Sequence, residues 1–234
     1  MNILITGVSR GIGAAAYSLL KSSGHNVLGH STKGNESLIA GDLSDPSSAR
    51  DIWTTALGKL GGRIDVLVNN AGIFEAIADT ATDDDWHRAW GRTLQVNLQA
   101  AADLSRLAIE AWRSASSGGR IVNVASRAGH RGDSPEHWHY AASKAGMIAM
   151  TKTIARGYAP ESIYAFAVCP GFTASEMGEE YLASRGGPGL VADIPLGRPA
   201  TTDEIAEIIR WLACDAPACA TGAIIDANGA SYVR

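Results

Sequence analysis

Cysteine is scarce: Cys169, Cys214 and Cys219 are the three in 234 residues. An odd, scattered set excludes a disulfide framework and points to a reducing compartment, the cytoplasm. No apolar run is long enough to cross a bilayer. No signal peptide is expected, since Met1-Asn2 passes straight into Ile3-Leu4-Ile5. Lys and Arg total 20 against 24 Asp and Glu, a formal charge of −4 with no basic block, so nucleic acid is a poor partner. Charged residues are only 19% and hydrophobic residues 46%, a balance that excludes long disorder. What is plentiful is glycine, at 26 residues, and its placement carries the argument.

Short apolar runs at 2–6, 26–30, 37–40, 65–69, 120–125, 163–169 and 223–226 alternate with helical patterns. Near-continuous apolarity predicts strands covered on both faces, as in a parallel sheet. Ile12, Ala15, Ala16, Leu19 and Leu20 share one helical face. Asp45-Pro46 reads as an N-cap and first helical proline of a second helix. Thr82 and the acids Asp83, Asp84 and Asp85 open a third at the positive end of its dipole. Two more patterns cover 138–158 and 202–214. The alternation predicts an α/β fold: a Rossmann-like, doubly wound parallel sheet of about seven strands with helices on both faces. No repeat or linker interrupts it, so residues 1–234 read as a single domain. One junction is short. Only residues 31–36 join the second and third strands, where a crossover normally takes a dozen or more residues and a helix. Six extended residues reach roughly 20 Å, enough to return without one, so that crossover helix is expected to be missing.

The first strand runs into Thr6-Gly7-Val8-Ser9-Arg10-Gly11-Ile12-Gly13 and then a helix. Glycines permit a tight turn and close approach of backbone to a pyrophosphate. Free N–H groups at the helix start face the anion. The context, after a strand and opening a helix near the N-terminus, is that of a dinucleotide site.

The spacing Gly-x-x-x-Gly-x-Gly resembles the short-chain dehydrogenase/reductase family. Asn69-Asn70-Ala71-Gly72, Val96-Asn97-Leu98, Ile121-Val122-Asn123-Val124-Ala125-Ser126, Tyr140-Ala141-Ala142-Ser143-Lys144, Pro170-Gly171, Gly197-Arg198-Pro199 and Thr221-Gly222 resemble its landmarks, in order, over the whole chain. The resemblance implies Asn97, Ser126, Tyr140 and Lys144 as catalytic residues. It implies that Asn97 holds a water linking Lys144 to solvent, and that Lys144 also holds the nicotinamide ribose. It places Asn69, Ala71, Gly72, Pro170, Gly171 and Thr173 along the cofactor and Asp42-Leu43 against its adenine ring. Residues 172–200 become the substrate lid, with Met177, Glu179, Glu180 and Tyr181 and a mobile Gly186-Gly187-Pro188-Gly189 stretch. A homodimer or homotetramer is implied, paired through the helices after the fourth and fifth strands. Arg113 and Arg156 lie where carrier-protein reductases of the family place carrier-binding arginines.

The chemistry fits the residue types. Tyr140 and Lys144, four apart on a helix, share a face. A phenol is a poor base at neutral pH, but a nearby ammonium favours the phenolate and makes Tyr140 a usable acid or base. The Ser126 hydroxyl can polarise a substrate oxygen. NADP(H) is expected over NAD(H). An NAD site places an acid about twenty residues past the turn, and here that count from Gly13 lands on Lys33, in His30-Ser31-Thr32-Lys33. Ser31, Thr32, Lys33 and Arg10 are then available to a 2′-phosphate.

The remaining candidates read blandly. His137 and His139 look like pocket wall or surface, so no metal site is expected. Cys214 and Cys219 read as small buried hydrophobes, and Trp86, Trp90 and Trp112 as core or subunit interface. Phe166 stands where relatives commonly carry asparagine. The function expected is hydride transfer between a nicotinamide and a small carbonyl or alcohol substrate. The alternatives are a 3-oxoacyl-carrier-protein reductase and, from another class, a nucleotide-sensing regulator without turnover.

Overall fold

A computed structural model of the chain describes residues 1–174 and 188–234. Strand β1 (Asn2–Thr6) leads to helix α1 (Gly11–Ser22), β2 (Asn26–Ser31), β3 (Leu38–Ala40), α2 (Ser48–Lys59) and β4 (Val66–Asn69). Then come α3 (Asp83–Leu94), a π-helical turn (Gln95–Gln99), α4 (Ala100–Ala115), β5 (Gly119–Val124), α5 (Ala128–Arg131) and α6 (Trp138–Tyr158). The last part holds β6 (Ile163–Pro170), β7 (Thr173–Ala174), α7 (Pro188–Ala192), β8 (Ala200–Thr201), α8 (Thr202–Cys214) and β9 (Ile224–Ala227).

The main sheet is parallel, in the order β3-β2-β1-β4-β5-β6-β9. The order reverses between β1 and β4, which opens a crevice at the carboxyl ends of those strands, the usual ligand position in such sheets. The apolar strand runs have their expected cause. Leu4 packs with α2 and α4 on one face, while Ile3 and Ile5 pack with α1 and α8 on the other. All three are fully buried, each contributing about 1.5–3 kcal/mol. Trp112 belongs to the first of these cores, where its indole N–H donates to the Ile64 carbonyl at 2.6 Å. Phe166 is fully buried in the second.

The crossover helix between β2 and β3 is absent, as the short junction demands. Ser31 ends β2 and its hydroxyl accepts from the Gly34 N–H at 3.1 Å, closing a tight loop that returns directly to Leu38.

Other expectations are corrected. Asp45 does not cap α2. Its carboxylate accepts from the Ser47 N–H at 2.8 Å, capping a separate turn before the helix begins at Ser48. The third helical pattern is not one α-helix: the π-helical turn at Gln95–Gln99 divides it, with Asn97 at its centre. Thr82 does cap α3, accepting from the Asp85 N–H at 3.2 Å. Pro188 and Gly189, read as part of a mobile stretch, begin α7. Met177, Glu179, Glu180, Tyr181, Gly186 and Gly187 lie outside the described residues. Cys219 is exposed and Cys214 half-buried, with its sulfur 3.3 Å from His25 Nε2, so neither is a fully buried hydrophobe.

Candidate active site

The crevice is a cavity of about 720 Å³ running from the glycine turn to α5. At one end stand Gly7, Ser9, Arg10, Gly11, Ile12 and Gly13. Two glycines here are sterically required. Gly7 has φ +72°, and a Cβ on it would lie 2.7 Å from Ala71 Cα. A Cβ on Gly13 would lie 2.1 Å from the Gly7 carbonyl oxygen. Helix α1 starts there without a side-chain cap and without an acid in its first turn. By contrast, α8 carries a full capping box of Thr201 and Glu204. Uncapped N–H groups facing a cavity suit an anion, so this end fits a dinucleotide pyrophosphate.

Asn70 holds the turn in place. Its side-chain amide donates to the Thr6 and Gly7 carbonyls, both at 2.9 Å. Ser31, Thr32, Asp42 and Leu43 line the same end, with Ala71 and Gly72 along one wall and Pro170, Gly171 and Thr173 along another. Lys33 is exposed and does not line the cavity, because the loop after Ser31 turns outward.

Asn69, expected along the cofactor, does not line the cavity. It is 2% exposed and points into the scaffold, where strand alternation sends it to the face opposite the cavity. Its amide donates to Asn123 Oδ1 at 2.8 Å and Ser105 Oγ at 3.1 Å. Asn123 in turn donates to Thr151 Oγ1 at 2.8 Å. This buried chain ties β4 and β5 to α4 and α6.

At the other end, Ser126, Tyr140 and Lys144 line one wall. Ser126 follows β5, and its hydroxyl accepts from the Ala128 N–H at 3.1 Å. Lys144 is buried and its ammonium donates to the Val124 carbonyl at 2.9 Å. Its Nζ lies 5.8 Å from the Tyr140 ring centroid. Burial pushes the Lys144 pKa down to about 8. Asn97 is fully buried and is not a cavity wall. Its side chain is committed: it accepts from the Ile73 N–H at 2.8 Å and donates to the Ile73 carbonyl at 3.0 Å and Ser143 Oγ at 3.2 Å. These bonds clamp the loop after Gly72, and Asn97 Oδ1 and Lys144 Nζ lie on the same side of that glycine. π-helical turns of this kind recur at functional sites.

Several wall residues carried no signal in the chain's motifs. Phe74 stacks on His137 at 4.0 Å and meets the Tyr140 ring edge-on at 4.7 Å. His137 is thus a buried support behind the wall, held by Ser134 at 2.8 Å. His139 is buried beside Trp90, and burial lowers its pKa. Arg127 lies over Phe172 at 4.8 Å. Arg92, paired with Glu75, lines the cavity at the same end as Asp42 and Leu43. Their pairing is set by tertiary packing, not by local spacing.

A second cluster forms behind the site. His130, Cys169 and Asp226 each place one ligand-type atom within 4.8 Å of the others. Arg234 donates to Asp226 at 2.8 Å, and Lys144 and Lys152 also act on the group. That positive surround opposes a divalent cation, and burial holds the Cys169 thiol up at about 12.

A family model described as enoyl-(acyl carrier protein) reductase matches residues 7–229. The chain is 31% identical to the 3-oxoacyl-[acyl-carrier-protein] reductase of Escherichia coli strain K12, over 98% of this chain and 96% of that one. It is 34% identical to the acetoacetyl-CoA reductase of Shinella zoogloeoides, over 98% and 97%. It is also 34% identical to the 3-oxoacyl-[acyl-carrier-protein] reductase of Thermotoga maritima, over 97% and 95%.

Proposed function

This chain belongs to the short-chain dehydrogenase/reductase family, and on that premise we propose that Ser126, Tyr140, Lys144 and Asn97 form the catalytic group of its carbonyl–alcohol chemistry. The chain is a nicotinamide-dependent oxidoreductase. The observation that carries the residue assignment is convergence: serine, phenol and ammonium line one wall of the cavity whose far end is the glycine turn.

In the reducing direction, the Ser126 hydroxyl donates to the substrate oxygen and polarises the carbonyl. Tyr140 then transfers its phenolic proton to that oxygen, leaving the phenolate. The nearby Lys144 ammonium favours the phenolate by charge. Hydride for the carbonyl carbon is what a bound nicotinamide supplies. Asn97 acts by position, since its clamp on Ile73 and Ser143 joins one cavity wall to the helix that carries Tyr140 and Lys144. Reversing each transfer gives alcohol oxidation.

NADP(H) is the preferred form in this reading. No acid stands at the end of β2, and Ser31, Thr32 and Arg10 border the cavity where a ribose 2′-phosphate would lie. The substrate is a small carbonyl or alcohol. The names of the relatives put 3-oxoacyl thioesters in the panel, although Arg113 is already paired with Glu161 at 2.8 Å.

The whole chain reads as one domain, and its assembly as a homodimer or homotetramer through α3, α4 and α6. In support, Trp138 on α6 is 51% exposed and packs edge-on against Trp86 at 5.3 Å. Light scattering at micromolar concentration is expected to give a multiple of the chain mass; the mass of one copy contradicts this.

The test of function is a panel of ketones, aldehydes and 3-oxoacyl thioesters with NADPH and NADH, followed by nicotinamide absorbance. Turnover of at least one carbonyl is expected, faster with NADPH. Tight cofactor binding without turnover on any panel member would favour the nucleotide-sensing alternative.

A further inference from the structure

We propose that His30 is a positioning residue for the dinucleotide, whose imidazole locks the glycine turn to the adenine side of the cleft in place of the missing crossover helix. This rests on the dinucleotide reading of the cavity above.

His30 sits near the end of β2 and is 2% exposed. The Gly7 N–H donates to its Nδ1 at 3.4 Å. Its Nε2 lies 2.9 Å from the Gly41 carbonyl. A backbone N–H only donates and a carbonyl only accepts, so the ring is neutral with its proton on Nε2. Burial lowers the His30 pKa, which favours that form. The main chain adds a third link, from the Val8 N–H to the His30 carbonyl at 2.9 Å.

The two partners of the ring are the two sides of the subsite. Gly7 is the glycine whose positive φ and close packing on Ala71 shape the anion turn. Gly41 precedes Asp42 and Leu43, which line the adenine end. In a full crossover, a packed helix fixes the end of β3 against β2. Here a six-residue return does so, and β3 is three residues long. A side-chain bridge between Gly7 and Gly41 supplies the missing constraint. Both ring nitrogens are spent on protein, so His30, which also borders the cavity, orders the subsite through the backbone groups it holds.

The test compares His30→Leu with His30→Gln, because a glutamine amide offers one acceptor and one donor and can restore both bonds. The probe is ADP-ribose, which lacks the nicotinamide, titrated by calorimetry. Steady-state kinetics on a working carbonyl give KM for the cofactor and kcat. His30→Leu is expected to weaken ADP-ribose and raise the cofactor KM by about tenfold, the scale of one or two hydrogen bonds. Its kcat at saturating cofactor stays within about twofold of wild type, and His30→Gln recovers most of the lost affinity. If His30→Leu does not fold, His30→Asn, too short to span both partners, carries the same expectation. Unchanged ADP-ribose affinity in the Leu or Asn variant, or a fall in kcat with affinity intact, overturns the proposal. Failure of the wild-type protein to bind ADP-ribose or NADPH overturns the dinucleotide reading, and this inference with it.

Discussion

At the end of the cleft proposed as catalytic, side chains are buried and tied to several elements at once. Asn69, Asn123 and Thr151 bond across β4, β5 and α6, and Asn97, Ser143 and Lys144 join the loop after Gly72 to α6 and to the end of β5. At the end proposed for the adenosine, β3 is three residues long, its return loop is largely exposed, and one imidazole bridges the two walls. Satisfied buried polar networks rigidify and specify a core, whereas exposed contacts are screened and weakly held. The contrast suits the tasks proposed for the two ends. Proton transfer needs atoms held within fractions of an ångström, while a nucleotide tail needs only to be captured.

The comparison is tested most severely at Tyr140. Replacing it with phenylalanine removes the proton donor but keeps the ring against Phe74. We expect kcat to fall about a hundredfold or more, some 2.7 kcal/mol in the barrier, with cofactor affinity unchanged. Near-full turnover in a carbonyl assay would break the assignment.

The next largest effect is a stability gain. Lys144 is buried and its pKa falls from 10.5 to about 8, so the folded protein carries a costly ammonium at neutral pH. Between those values the unfolded chain binds the extra proton, and stability rises with pH. Lys144→Met removes the charge but leaves the Val124 carbonyl without its donor. A net gain of about 1–2 kcal/mol is expected at pH 7, a rise of about 3–6 °C in Tm. The gap should shrink toward pH 10 while activity is lost. Thermal scans at both pH values check this; a variant less stable at pH 7 contradicts it.

The smallest effect concerns cofactor choice. Preference for NADPH over NADH should be modest, about tenfold at low salt, and fall severalfold at high salt, since exposed charge contacts are screened. Titration with both cofactors at two ionic strengths decides. A large preference indifferent to salt would mean a buried phosphate site.

Much of this was legible in the chain. Strand–helix alternation and unbroken apolar strands announce a parallel sheet, and the six residues 31–36 are too few to carry the crossover helix that is missing. Tyr140 and Lys144 were legible because helical spacing fixes their shared face. The misplaced residues fail for a common reason. Asn69 and Asn70 are adjacent, and strand alternation sends one into the scaffold and the other to the turn, a choice their shared residue type does not reveal. The clamp made by Asn97 was not legible, because its partners, Ile73 and Ser143, are 24 and 46 residues away. His30 carried no motif at all: it matters because a short junction brings Gly41 back beside Gly7.

The contrast between the two ends is tested most directly by native-state hydrogen exchange on the whole protein, with and without NADPH. Without cofactor, amides of β3 are expected to exchange by local opening, well ahead of those in β4 and β5, which should open only near the global stability. Added NADPH should protect β3 and the loop before it far more than β4 and β5. Equal, slow exchange of β3, β4 and β5 in the free protein would contradict the account.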